Sequence, residues 1–247
     1  MKNENYEKSI DLYGDGKGYV EYVEHMGSDL SVVNSARVSF GQHKEELDDR
    51  DKKLIAYLVK HRHTSTLEHN VVTFRFCVPL FVRGQHHRHR TWSYNEISRR
   101  YTDVDIKFYS PNSFRTQHES NRQASNAEEL INPVIGCYVA GENKLYKTNV
   151  SNALQVHHQD CLALYHKMME AGVCREQARG VLPQNMYTEY YGTVNLNNLL
   201  KFIDLRTHEG AQWEIQKAAE ACLEIATDLW PVTVKAYRKI RGKEDNS

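Results

Sequence analysis

A surplus of charge is the first thing this sequence lacks. Lys and Arg total 32, Asp and Glu total 32, and the formal net charge is zero. General nucleic-acid binding usually needs a basic excess, so any anion site here must be a local cluster. Long apolar runs are missing too. No stretch reaches the roughly 20 residues of a membrane span, so no membrane association is expected. The first residues, MKNENYEKSIDLYGDG, lack the apolar centre of a signal peptide. Cysteine is scarce and scattered: Cys77, Cys137, Cys161, Cys174 and Cys222 form no C-x-x-C pair. An odd, dispersed set predicts reduced thiols and a cytoplasmic setting. No H-E-x-x-H, Gly-rich phosphate loop or G-x-S-x-G occurs, so the common signatures of zinc peptidases, dinucleotide folds and serine hydrolases are all absent.

What is present fits one domain over residues 1–247, with 40% hydrophobic residues to build its core. Residues 19–40 read as a strand, a turn at Gly27-Ser28-Asp29 and a short helix. Asp48 or Asp49 caps a helix to about His61, burying Leu54, Ile55, Leu58 and Val59. HTSTLEHN follows as a loop or short turn. VVTFRFCV alternates, with Val72, Phe74, Phe76 and Val78 on one face and Thr73, Arg75 and Cys77 on the other, as in a half-buried strand. Pro79 ends that strand and opens a helix through Leu80, Phe81 and Val82 toward His87. The polar segment 110–150, with SPNSF, NPVIG and AGEN, reads as an excursion holding a hairpin. A helix over 150–171 stops at Gly172. CREQARGVLP is a short helix ending near Pro183, NMYTEYYGTV a strand, and Asn195 the cap of another helix. AQWEIQKAAEACLEIATDLWP is a long helix. With no βαβ rhythm, the predicted class is α+β, a small mostly antiparallel sheet packed by several helices.

The densest chemistry lies at 88–101, RHRTWSYNEISRRY, just after Gln85, His86 and His87. Cations packed this closely repel, so a folded chain leaves them solvated or gives them an anion. Arginine supplies nearly all the charge, through Arg83, Arg88, Arg90, Arg99 and Arg100. Its planar fork suits phosphates and heteroaromatic edges. Ser93, Asn95, Glu96 and Ser98 add donors and an acceptor, a mixture better suited to a nucleotide than to bulk polyanion. Three other readings compete. Trp92, Tyr94 and Tyr101 could stack on bases of RNA, but the neutral charge and missing RNA-binding motifs oppose it. Ser98 with His89 as a nucleophile pair lacks an assured base. The histidine groups His61/His63/His69, His86/His87/His89 and His157/His158 invite a metal, yet Arg88 and Arg90 flank His89 and would repel a divalent cation; no metal is expected.

Arg88-His89-Arg90, seven residues and then Ser98 resembles the signature of the flavin-dependent thymidylate synthases. HRHTSTLEH (61–69), GSDLSVVNSARVSF (27–40), REQARGVLP (175–183), TVNLNNLLKFIDLR (193–206) and AQWEIQ (211–216) resemble other segments of that family, in order. The likeness spans most of 19–238 and is weakest over 110–150.

The resemblance implies methylation of dUMP to dTMP, with 5,10-methylenetetrahydrofolate giving the carbon, FAD carrying the hydride and NADPH reducing the flavin. It also implies a homotetramer whose sites are shared between chains. His63, Ser65, Arg88, His89, Arg90, Glu96 and Asn195 match flavin positions, with Asn197 and Lys201 completing the set. Gln85, His86, His87, Arg88, Glu96, Ile97, Ser98, Arg99, Arg100 and Arg179 match nucleotide positions. Arg206 corresponds to the arginine that polarises the uracil ring. Four positions depart from the usual pattern: Arg99 stands where glycine is common, Asn197 where arginine or histidine is, Lys201 where asparagine is, and Gly210 where histidine often is.

Overall fold

The computed structural model describes residues 6–138 and 145–242. In chain order its elements are β1 (Ser9–Asp11), β2 (Tyr19–Met26), α1 (Asp29–Arg37), α2 (Asp49–Lys60), the single turn α3 (Ser65–Glu68), β3 (Val71–Pro79), α4 (Leu80–His86) and β4 (Ser93–Glu96). There follow β5 (Phe114–Gln117), β6 (Ser125–Ile131), β7 (Val134–Tyr138), β8 (Leu145–Asn149), α5 (Val150–Glu170) and α6 (Arg175–Ala178). The chain closes with β9 (Tyr187–Asn195), α7 (Leu196–Arg206), α8 (Trp213–Leu229) and α9 (Pro231–Ile240). Five strands form one sheet in the order β1-β2-β3-β9-β4, every pair antiparallel.

The alternation of β3 decides where the core lies. Val72, Phe74, Phe76 and Val78 are all fully buried, against Val32 and Val33 of α1, Ile55 of α2, Leu199, Leu200 and Phe202 of α7, and Ile225 of α8. The other face is polar over much of its width. Arg75 bonds Glu189 at 2.7 Å and Glu21 at 3.4 Å, while Thr73 and Thr193 share a hydrogen bond of 2.9 Å. Cys77 packs on that second face against Tyr109 and Tyr187, and burial pushes its thiol up to about 12. It is a packed hydrophobe.

Local signals place the helices. Asp48 caps α2, accepting from the amides of Arg50 and Asp51. Asn195 caps α7 by accepting from the Asn198 amide at 3.0 Å. Gly172 follows α5 at φ +88, a left-handed conformation that a side chain would strain. HTSTLEHN contains α3 rather than a loop alone. The excursion 110–150 carries two hairpins instead of one, β5–β6 and β7–β8; the AGEN stretch at 140–143 falls outside the described residues. Strand β4 was hidden inside the Arg-rich stretch, and α9 follows Pro231 at its first turn. Among the described residues, no helix is long and apolar enough to cross a membrane.

Register positions the site. Pairing of Glu96 with Tyr190 sets β4 against β9 at the sheet edge, and pairing of Val71 with Asn195 sets the start of α7 beside β3.

Candidate active site

Helix α4 ends at the sheet edge and delivers Gln85, His86 and His87 there; the loop to β4 carries Arg88, His89 and Arg90. Arg206 arrives from the other side as the last residue of α7, where a cation complements the helix dipole. Its Nε donates to His89 Nε2 at 3.0 Å, and an Nη2 proton goes to the Gln85 carbonyl at 3.2 Å. His89 can accept only as the neutral ring. Burial, and after it the Arg206 charge, push its pKa down to about 4. No carboxylate pairs with Arg206 among the described residues, so its charge stays uncancelled in a half-buried place.

Glu96, the carboxylate at the centre of the Arg-rich stretch, is claimed by one arginine. Arg83 Nε donates to both its oxygens at 2.9 and 3.0 Å, and the Thr188 hydroxyl donates at 2.7 Å. Arg83 lies one helical turn before His86, and Thr188 alternates with Tyr190 along β9; those spacings were the available signals for them. Arg100 pairs with Glu176 at 3.4 Å, which ties the turn after β4 to α6. Arg88, Arg90 and Arg179 are exposed, and their guanidinium groups have no protein partner among the described residues.

Several of the predicted site residues are engaged by groups of this chain. His86 is only 1% exposed; its Nδ1 meets the Tyr190 hydroxyl at 2.8 Å, and Phe76, Trp92 and Phe202 surround its ring. Burial holds it neutral, and within this chain its side chain packs in the core. Arg99 is likewise turned inward, 8% exposed, with Nη1 on the Val104 carbonyl at 2.7 Å. Asn197 is buried and donates to Glu68 at 2.9 Å, and the Asn195 oxygen is engaged in capping. His87 stacks on Tyr94 with centroids 4.0 Å apart, while the Ile97 amide bonds the Glu189 carbonyl at 2.9 Å. Ser98 accepts from the Arg100 amide at 3.3 Å, without an imidazole beside it among the described contacts. Of the three aromatic residues proposed to stack on RNA bases, Trp92 is buried, and Tyr94 spends its hydroxyl on the His86 and His89 carbonyls.

A second patch gathers the other flavin candidates. His63, Asn197 and Lys201 line a cleft of about 350 Å³ together with Arg62, Tyr237 and Arg241. Ser65 is exposed on α3 nearby in sequence. Helix α7 connects the patches: Asn197 and Arg206 are separated by roughly 14 Å of helix axis at 1.5 Å per residue.

This combination defines an α+β protein with a cation-rich cluster at one sheet edge. The family described as thymidylate synthase complementing protein matches residues 21–232. The flavin-dependent thymidylate synthase of Thermus thermophilus is 40% identical over 90% of this chain and 76% of its own length. That of Thermotoga neapolitana is 39% identical, covering 93% of this chain and 94% of the relative. Among solved structures, a UMP/dUMP methylase from Streptomyces cacaoi bound with 5-Br dUMP superposes with a TM-score of 0.75 at 32% identity, over 93% of this chain and 97% of that one. The chain belongs to the flavin-dependent thymidylate synthase family, and it is an enzyme.

Proposed function

We propose that the protein converts dUMP to dTMP, taking the carbon from 5,10-methylenetetrahydrofolate and releasing tetrahydrofolate. The observation that carries this reading is Arg206, a fixed guanidinium held by a neutral imidazole and a carbonyl. A carboxylate partner would cancel its field; these partners aim it and leave the charge available. Set against the uracil ring, that charge favours ionisation at N3 and raises the ring's reactivity without proton transfer by the enzyme. Supporting it, the Streptomyces cacaoi methylase of the same fold was solved with 5-Br dUMP.

FAD fits the residues at hand. Arg88 and Arg90 are unpaired cations suited to a diphosphate, and the cleft beside His63 and Lys201 combines cationic groups with the apolar Leu58, Leu67 and Ile240. When bound, FAD supplies the hydride equivalent that turns a transferred methylene into a methyl, drawn in turn from NADPH. Arg88, Arg90, His63 and Lys201 would hold it, and His89 would keep Arg206 oriented beside it. Arg100 and Arg179, both exposed, would take the dUMP phosphate, with Ser98 as a hydrogen-bonding ligand. We place the enzyme in the cytoplasm and its sites between the chains of a homotetramer.

The test is optical. Purified protein titrated with FAD should turn yellow and saturate at about one flavin per chain, a stoichiometry set by one cluster per chain. A colourless protein that takes up no FAD contradicts the reading.

A further inference from the structure

Glu214 is 4% exposed, and nothing in the chemistry above uses its carboxylate. It lies in the first turn of α8. Its Oε1 accepts from Arg115 Nη2 at 2.5 Å and from the Tyr109 hydroxyl at 3.2 Å, and its Oε2 accepts from Gln212 Nε2 at 2.9 Å. Arg115 belongs to β5, in the excursion where the family likeness is weakest, and its guanidinium lies 5.0 Å from the centroid of the Trp213 ring.

A carboxylate held by a guanidinium accepts and does not donate. It therefore settles which end of the Gln212 carboxamide faces it. The Gln212 nitrogen turns toward Glu214, so its oxygen turns toward Gln85, whose amide nitrogen donates to it. Gln85 is left with Oε1 free of protein partners among the described residues, while its main-chain carbonyl receives Arg206. A single buried charge thus fixes donor and acceptor directions along Glu214, Gln212 and the Gln85 side chain, and Gln85 in turn meets Arg206 through its main-chain carbonyl.

We propose that Glu214 is a positioning residue, acting through Gln212 to orient the Gln85 side chain and to anchor the end of α4, where the Gln85 carbonyl receives Arg206. Through Arg115 that orientation depends on the docking of the β5–β6 hairpin. The inference rests on the role given to Arg206 above, and its test separates the two.

The comparison uses FAD-loaded Gln212→Met, Glu214→Gln and the exchange Gln212→Glu/Glu214→Gln. Gln212→Met cuts the relay but leaves Glu214 on Arg115 and Tyr109. Its kcat should fall about 10- to 100-fold through misplacement, with the flavin spectrum and the thermal midpoint nearly unchanged. Glu214→Gln should lose kcat to a similar extent, because Arg115 and Tyr109 would hold its amide oxygen and turn its NH2 toward Gln212, which reverses the relay. The exchange places the acceptor-only group at position 212, where it again fixes Gln85, and should recover most of kcat. Side-chain amide NMR reads the orientation without turnover: the Gln85 amide protons should be exchange-protected in the wild type and lose protection in Gln212→Met. A wild type that makes no dTMP but shows this protection would sink the functional reading and leave the positioning intact. Wild-type kcat in Gln212→Met, an exchange as slow as Glu214→Gln, or an unprotected Gln85 amide in the wild type would overturn the inference.

Discussion

Arg206 and His89 depend on each other, and both can be tested one residue at a time. Replacing Arg206 by Ala removes a charge aimed at the reacting ring, which costs roughly 2.7–4 kcal/mol in the transition state, or about 100- to 1000-fold in kcat. The flavin absorbance should persist, and turnover at the wild-type rate would refute the assignment. His89 is predicted to set a pH dependence of stability. Its ordinary value of 6.5 applies in the unfolded chain, whereas the folded ring titrates at about 4. Between those values the unfolded state binds the extra proton, so stability is full above 6.5 and declines as pH falls toward 4. His86 and His87, also held below the ordinary value by burial, act in the same direction, with Arg206 facing His86 and Arg83 facing His87. The thermal midpoint should therefore drop across this window, and His89→Gln should flatten the drop. A midpoint that is level or rises on acidification would contradict this. Arg206 and His89 were legible from motif alone. The inward turn of His86, Arg99 and Asn197 was not, because a motif gives position along the chain and burial depends on what packs from elsewhere.

Helix α7 carries the largest share of the site among the elements, from Asn197 and Lys201 near its start to Arg206 at its end. Asn195 is bonded as its cap, so Asn195→Ala should lower stability by about 0.5–2 kcal/mol in chemical denaturation. If Asn195 served only the flavin, FAD affinity would fall with the denaturation midpoint unmoved. The apolar alternation of β3, the Asp48 and Asn195 caps and the Gly172 stop made most elements readable from sequence. Strand β4 escaped because SYNE has no apolar alternation; pairing with β9 makes it a strand. The same tertiary dependence hid the relay from Arg115 to Gln85, since its members lie 99 residues apart at one step and 127 at another.

Across the whole molecule, the predicted flavin residues are divided between the Arg-rich cluster, which they share with the predicted nucleotide residues, and the cleft of His63, Asn197 and Lys201, while Arg88, Arg90 and Arg179 are exposed. The exposed apolar side chains of Val134, Ile135 and Tyr138 on β7, with Val156 and Leu164 on α5, give a neighbouring chain something to cover. The proposal of shared sites makes a specific prediction: an inactive Arg88 variant and an inactive Arg206 variant should regain activity when refolded together. Size measurements must first show that mixed oligomers formed. Silence in confirmed mixed oligomers would mean that each chain holds a complete site.

The most direct measurement follows the electrons. Converting a transferred methylene into a methyl requires a hydride. If that hydride came from the folate ring, dihydrofolate would be released. The buried Cys77 and Cys222 thiols, both pushed up by burial, are poorly suited to the thiolate attack that such a route needs. Anaerobic turnover with dUMP, 5,10-methylenetetrahydrofolate, FAD and NADPH, followed by chromatography of the folates, distinguishes the two sources. Equal amounts of dTMP, tetrahydrofolate and oxidised NADPH are the predicted result. Stoichiometric dihydrofolate, formed while NADPH is untouched, would contradict it.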